Sequence, residues 1–407
     1  MILAIGIDSF DTPFSGCTTH FSSILLLVLA KRGYQAADYP WLVRLNPAVP
    51  WKTRGNGAIA LHLYVDNRRD AQDALRMLRE LAKKYNISPK ASYIALLRPE
   101  DDIREYLENR PECITDTYER ALHEIVTRDL VHECIRGIKD NVVEVGGLNN
   151  RGIVGALSSL GMKLDDYTFE LTMYRSIDRW GSPRRIDAES VIRFDIVTKP
   201  YTFLNIDYTI GKILIAPHGY DPVLYAVRGE RPDILLKALS IIDPGEKPSH
   251  GVLHRSNQAT DAHLYPRNTE EIRPYDNPIV TGVIKDYKWL PGGHLLANMC
   301  DETGCIDVAF YRETRWLRHH AVKVAKNYLV EIGGQAKPHR GGVTLNAEYI
   351  MVKGCTRESK CTYRGPVLLR PPPSTFHHLM RPPERRPVES KELRFPSSID
   401  DILSIPY

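Results

Sequence analysis

The chain has 407 residues, 43% of them hydrophobic, with 54 Lys and Arg against 50 Asp and Glu. This composition excludes a collagenous, small-disulfide or wholly disordered chain and supplies several cores, so two to four domains are expected. The net charge of +4 permits a nucleic-acid partner through a local basic surface without requiring one.

Seven cysteines with no C-x-x-C pair read as mostly free thiols in a reducing compartment, not as a secreted disulfide framework. The apolar stretch 1–7 lacks a basic leader and runs directly into Asp8, as a buried strand does and a signal peptide does not. The stretch 21–30 has about half the length that spans a bilayer. A cytoplasmic protein with no membrane contact is expected.

In chain order, strand 2–7 is followed by a polar turn and a helix over 18–32, where Phe21, Ile24, Leu25, Val28 and Leu29 recur at helical spacing before Gly33. A strand is predicted at 58–65, an amphipathic helix at 66–85 and another helix at 116–136. This alternation indicates an α/β or α+β unit up to about residue 160. Strands at 167–174, 190–197 and 212–216 and a helix at 232–242 suggest a small sheet with helices on one face. From 278 to 352, β runs at 279–284, 294–299, 305–311, 328–332 and 342–351 suggest a small barrel, with an OB-fold leading. The last 43 residues hold nine of the 28 prolines and read as a tail, disordered or laid over another surface. No internal repeat is evident.

Several segments could carry chemistry. Asp8 and Asp11 lie three residues apart at a strand's C-terminal end, which suits a Mg²⁺ that keeps waters and bridges to nucleotide phosphates. Thr18 and Thr19 follow where unpaired helix N–H groups favour an anion, although the same residues would serve a capping turn. Residues 44–58 concentrate Arg44, Asn46, Lys52, Arg54, Gly55, Asn56 and Gly57 ahead of a strand, as a polyanion-binding loop or a tight turn would. Residues 149–157 place Arg151 at a helix start, with glycines that could simply allow close packing. His218 and Asp221 sit in a proline-bounded loop. The segment 257–263 could face a substrate or end the second unit. Cys300/Cys305 and Cys355/Cys361 lack the knuckle spacing of a zinc ribbon, and Cys113 and Cys134 read as structural thiols.

Taken in order, GIDSFDTPFSGCTTH, RLNPAVPWKTRGNGA, NNRGIVGAL, YRSIDRWGSPRRID, APHGYDPVLYAVRG, NQATDAHL and LPGGH resemble the archaeal tRNA(Ile) 2-agmatinylcytidine synthetases, which modify the wobble cytidine of a CAU anticodon. The resemblance implies an α+β multidomain protein. Its parts would be a kinase-like α/β domain over 1–160, a ferredoxin-like domain over 161–275, an OB-fold over 278–353, and a degenerate zinc-ribbon region with a Pro-rich tRNA-contacting tail over 354–407. It also implies a reaction in which ATP phosphorylates the cytosine C2 oxygen and the primary amine of agmatine displaces it. Tyr311, Arg312, Arg315, Trp316, Arg318, His319 and His320 would grip tRNA.

By the same resemblance Asp8 and Asp11 hold Mg²⁺, Thr18 is autophosphorylated, and Lys52 and Arg54 neutralise the triphosphate. Thr19, Arg44, Asn46, Gly55, Asn56 and Arg151 surround the nucleotide. His218 lies near the agmatine and cytidine pocket, and Asp207, Asp221 and Asp261 are candidates for the guanidinium partner. Three departures stand out. Ser9 and Phe10 replace an Asp and a Thr of the family's turn, the ribbon cysteines shrink to Cys355 and Cys361, which predicts no structural zinc, and Ala259 replaces a glycine. The alternative is a catalytically inactive relative that binds the tRNA anticodon.

Overall fold

The strand Ile2–Asp8 is apolar up to its final Asp8 and is buried on both faces over residues 2–7, because it lies inside a sheet covered by helices on either side. It pairs antiparallel with Gly57–Tyr64 and with Ser92–Arg98. The helix Thr18–Ala30 buries Phe21, Leu25 and Leu29 against one face, and Arg68–Tyr85 adds Ala71, Ala74, Leu75 and Leu78. Gly6 in the first strand lets the helix Gly152–Ser159 close on the other face, since a Cβ there would lie 1.9 Å from the Ala156 carbonyl oxygen. The protein is described by a computed structural model covering residues 1–12, 15–85, 88–217, 219, 222–339, 341–356, 361–363, 365–385 and 393–404.

The topology holds a repeat that the sequence hides. In the first half the strands Ile2–Asp8, Trp41–Arg44, Gly57–Tyr64 and Ser92–Arg98 lie across the sheet in the order fourth, first, third, second. In the second half Thr168–Tyr174, Thr202–Phe203, Val223–Gly229 and His250–Ser256 adopt the same order. The halves fuse into one eleven-stranded sheet where Arg255 and Ser256 pair parallel with Trp41 and Leu42. That junction is fastened by an ion pair with no exposed surface, in which Arg255 meets Asp38 at 2.8 Å while Asp38 also accepts from Trp41 Nε1. Within each half the strands run antiparallel, so strand–helix alternation here does not mean a parallel sheet.

Other expectations are corrected. The helix expected over 116–136 is two, Glu112–His123 and Arg128–Gly137, because Thr127 caps the second by accepting from Leu130 N–H. The strand expected at 190–197 is the helix Ala188–Thr198. Its β-branched residues disguise an Asp187 N-cap and burial of Ser190, Val191, Phe194, Asp195 and Thr198 at helical spacing. The helix at 232–242 is two short turns, Pro232–Leu235 and Ala238–Ile241, and only Lys212–Ile213 of 212–216 is a strand. The free-thiol expectation also fails. Cys113 pairs with Cys134, Cys300 with Cys305 and Cys355 with Cys361, and Cys17 is in no disulfide. The first bridge joins two helices that only the fold brings within 5.6 Å Cα to Cα.

A closed five-stranded barrel follows. Pro278–Leu290, His294–Cys300, Cys305–Phe310, Gly342–Cys355 and Tyr328–His339 pair in that order, and the last strand returns to the first. The helix Trp316–Val324 fills the connection between the third and fourth strands in sequence. The tail is laid down as a strap. Val367–Leu369 joins the barrel and Leu403–Ser404 joins the main sheet, while Arg385, buried, pairs with Asp166 and Glu230. Arg370 and Arg381 are likewise bound internally, to Asp261 and Asp166. These tail arginines anchor the strap to the body of the protein. No helix among the described residues is long and apolar enough to cross a membrane.

Ala259 sits fully buried at φ +56°, donating its N–H to the His378 carbonyl at 2.8 Å. A left-handed backbone costs an alanine about 1 kcal/mol that glycine avoids. Ala259→Gly removes that cost but also a methyl buried against Phe203 and Leu204, worth about 0.8 kcal/mol, so the melting temperature is expected to stay within about 2 °C of wild type.

Candidate active site

The helix Gly152–Ser159 begins beside Asp8 and Ser9, and the helix Thr18–Ala30 begins beside Phe10 of the same turn. Gly155 is required there, because a Cβ would lie 2.1 Å from Asp8 Oδ2, and one on Gly152 would meet Ser9 at 2.9 Å. The glycines of this segment thus serve close packing, and they bring Arg151 to the rim, where its guanidinium lies 3.8 Å above the Trp51 ring. Asp8 Oδ1 accepts the Ser9 N–H at 2.5 Å. Burial, reinforced by the charge of Asp11, pushes the Asp8 carboxyl up to about 8. Asp11 lies 3.6 Å from Arg54, whose Nη1 donates to the Gly16 carbonyl at 2.7 Å. Phe10 stacks on Phe21 at 3.7 Å, so this departure from the family pattern packs the core.

A buried acid raised by a second acid fits a divalent cation, which would favour the charged form of both. Without one, the folded state holds a proton that the unfolded state releases above pH 3.8, so stability falls as pH rises from there to about 8. Asp8→Asn is expected to flatten this fall in metal-free protein, and Mg²⁺ is expected to restore stability near pH 8 in the wild type only. Thermal melts across that range check both.

The basic loop is tight as well as charged, with Arg54 and Asn56 at φ +45° and +50°. Asn46 is buried and builds it. Its Oδ1 accepts from Ala48 N and Asn277 Nδ2, and its Nδ2 donates to the Glu124 and Tyr275 carbonyls. Asn56 donates to the Asn46 carbonyl at 3.0 Å, and Asn257 of the 257–263 segment pins both backbone groups of Arg44. Lys52 donates to the Pro47 carbonyl at 2.6 Å and lines two cavities. One, of about 140 Å³, holds Asp8, Asp11, Trp51, Asn56 and Arg151. The other, of about 580 Å³, lies between the halves and holds Thr19, Arg44, Arg54, Gly55, Glu170 and Arg228. A phosphoryl group passing from the first cavity to the second would keep Lys52 beside it.

Other predicted residues lie elsewhere. Thr18 is buried, its hydroxyl accepts from Phe10 N–H at 3.2 Å, and it lines neither cavity. Asp207 is spent on Thr209 and on the Ser374 N–H, and Asp261 on Arg370 and the Arg381 N–H. His218 and Asp221 lie outside the described residues, although Ala216, Pro217 and Gly219 of the same loop line the larger cavity. Sequence reasoning missed Glu170, which accepts from Arg228 and Gln258. Burial works against its charge, yet Arg228 and Arg44 hold it down at about 2. It also missed Lys337, which reaches from the barrel to the Ala48 carbonyl at 2.6 Å and is pushed down to about 8 by burial and Lys52. No local pattern marks a lysine 289 residues from its partner.

Among the described residues one His and carboxylate cluster has metal-like spacing, His263, Glu348 and His377. The Leu379 N–H donates to His377 Nδ1 at 3.1 Å, so Nε2 keeps its proton and gives it to Glu348 at 2.6 Å. With His263 Nε2 and Gln335 Nε2 also on this carboxylate at 2.8 Å, the arrangement is a hydrogen-bonded lock between linker, barrel and tail.

Paired acids and a cation-rich loop around one cavity, opening through a shared lysine into a second between two halves of one sheet, define an enzyme that handles phosphoryl groups on a bound substrate. The TiaS TCKD domain matches residues 4–147 and the TiaS FLD domain residues 150–263, together more than half of the chain. The tRNA(Ile2) 2-agmatinylcytidine synthetase of Hyperthermus butylicus is 53% identical, covering 98% of this chain and 96% of that one. That of Pyrococcus horikoshii is 32% identical over 94% and 97%. The crystal structure of a TiaS–tRNA(Ile2)–ATP complex shares the mixed α/β multidomain fold, with a TM-score of 0.79 at 23% identity, covering 97% of this chain and 99% of that one. A TiaS–tRNA(Ile2)–AMPCPP–agmatine complex does so at 0.77 and 23%, with the same coverage. The chain belongs to the tRNA(Ile2) 2-agmatinylcytidine synthetase family.

Proposed function

We propose that this chain uses ATP to conjugate agmatine to C2 of the wobble cytidine in the CAU anticodon of tRNA(Ile), so that AUA is decoded. One observation carries the reading. In a chain alike to such a synthetase over nearly its whole length, Asp8, Asp11 and Lys52 line one cavity, and Lys52 with Arg54 lines the next. Asp8 and Asp11 would hold Mg²⁺, which when bound supplies charge neutralisation at the phosphates. Lys52, Arg54 and Arg151 neutralise the polyphosphate, and Asn46 and Asn56 keep the loop in shape. Once the C2 oxygen carries a phosphoryl group it becomes a leaving group, and the amine of agmatine can displace it. The larger cavity, walled by Glu170, Arg228 and the 215–219 loop, suits the cytidine and agmatine.

Both halves of the main sheet read as ferredoxin-like units, and the barrel as an OB-fold whose exposed Tyr311 and Trp316, with Arg312, Arg315 and His319, form a stacking and cationic face for tRNA. An inactive binder is not favoured, since the chain is 53% identical to a named synthetase over nearly its whole length and keeps Asp8, Asp11, Lys52 and Arg54 around the cleft. Incubation with ATP, agmatine and Mg²⁺ is expected to release AMP and phosphate only when the tRNA is added. Tight tRNA binding with no AMP release would contradict the reading.

A further inference from the structure

The larger cavity has a wall that none of the motifs assigned to catalysis supplies. The tail crosses it between residues 373 and 379, and His378 faces in. The backbone on either side of this residue is fixed. Asp207 accepts from Ser374 N–H, Ala259 N–H donates to the His378 carbonyl, and Asp261 N–H donates to the Leu379 carbonyl. His377 is spent on Glu348. The His378 ring, in contrast, makes no hydrogen bond among the described residues. It lies directly on Gly55 of the basic loop, where a Cβ would come within 2.3 Å of Cδ2 and 2.7 Å of Nε2. Glycine at position 55 is therefore what admits the imidazole to the phosphate-handling loop.

We propose that His378 is a catalytic residue of the amine-transfer step, the base that takes the proton from the attacking nitrogen of agmatine. The proposal rests on the agmatine-conjugating reading and adds a residue to it. In this step agmatine reacts as the free amine, its ammonium proton having passed to solvent; the nitrogen lone pair then forms the bond to C2, and the C2–O bond breaks with its electron pair leaving on phosphate. The proton that nitrogen carries after attack passes to the imidazole and then to solvent.

The surroundings suit this role. Arg44 acts on the ring from the strand Trp41–Arg44, Lys52 from the loop and Arg228 from the second half, while Arg54 and Lys212 line the same cavity. Among the described residues, Glu170, Cys17 and His377 are the other titratable groups on the cavity wall. The charge of Arg44, with burial and Arg228, holds the imidazole well below its ordinary pKa, so it stays neutral with a lone pair available. A phosphorylated substrate seated among these cations offsets their charge and strengthens the base. Basicity then arrives together with the activated cytidine.

The test is single-turnover conjugation by full-length His378→Ala and His378→Gln, with tRNA, ATP, Mg²⁺ and agmatine. Expected are tRNA-dependent ATP consumption close to wild type, agmatine incorporation lower by about 10²- to 10⁴-fold, a pH profile displaced to higher pH, and partial rescue of the alanine variant by added imidazole. Incorporation within about twofold of wild type in both variants overturns the proposal. So does a loss with an unchanged pH profile and no imidazole rescue, which assigns the ring to packing alone. If the wild type itself incorporates no agmatine, the functional reading fails and the proposal falls with it.

Discussion

Asp8→Asn is expected to lower agmatine incorporation by about 10³-fold while tRNA binding stays within about twofold of wild type. Asp8 ends the strand Ile2–Asp8, is partly buried near Asp11 and lies against Gly155. The amide fills the same volume, so the fold should survive, but it removes the negative charge that a cation on the polyphosphate needs. Excess Mg²⁺ should not recover the rate. Single-turnover incorporation and a filter-binding titration separate the two effects. A variant that conjugates agmatine normally would remove the acid pair from the chemistry.

Asp38→Ala is expected to destabilise the protein by about 3–5 kcal/mol, because it leaves Arg255 fully buried without its counter-charge. The effect should be seen in urea unfolding as a lower midpoint with little change in slope. Asp38 stands just before the edge strand of the first half and Arg255 on the last strand of the second, so the damage should appear as loosening between the halves, around the larger cavity. Replacing both, as Asp38→Ala with Arg255→Met, should recover much of the loss, since a removed ion pair costs less than a broken one. A single variant that costs less than about 1 kcal/mol would mean that the fused sheet does not depend on this pair.

How much was legible in the sequence depended on how local each feature is. The acidic turn and the basic loop are short segments whose residue types are dictated by nearby backbone, and the cavity around Asp8, Asp11, Lys52 and Arg151 brings together three motifs read separately. The helix Ala188–Thr198 was illegible as a helix because its β-branched residues mimic a strand while its register lies in the buried polar Ser190, Asp195 and Thr198. The repeated strand order has no sequence echo, since two units can share a topology without sharing contacts. The pairs that matter most to the cleft are remote in sequence. Lys337 meets Ala48, Asp38 meets Arg255, and His378 meets Gly55. Asp207 and Asp261 were reasonable carboxylates for a guanidinium until the tail was seen to occupy both. The cysteines were misjudged for the same reason, because only packing sets their distances.

The most direct measurement is mass spectrometry of the wobble nucleoside in unmodified tRNA(Ile) bearing a CAU anticodon, after incubation with the protein, ATP, Mg²⁺ and agmatine. The account predicts an agmatine adduct at that cytidine that depends on both ATP and agmatine. An unmodified cytidine, in a reaction where the tRNA is demonstrably bound, would contradict it.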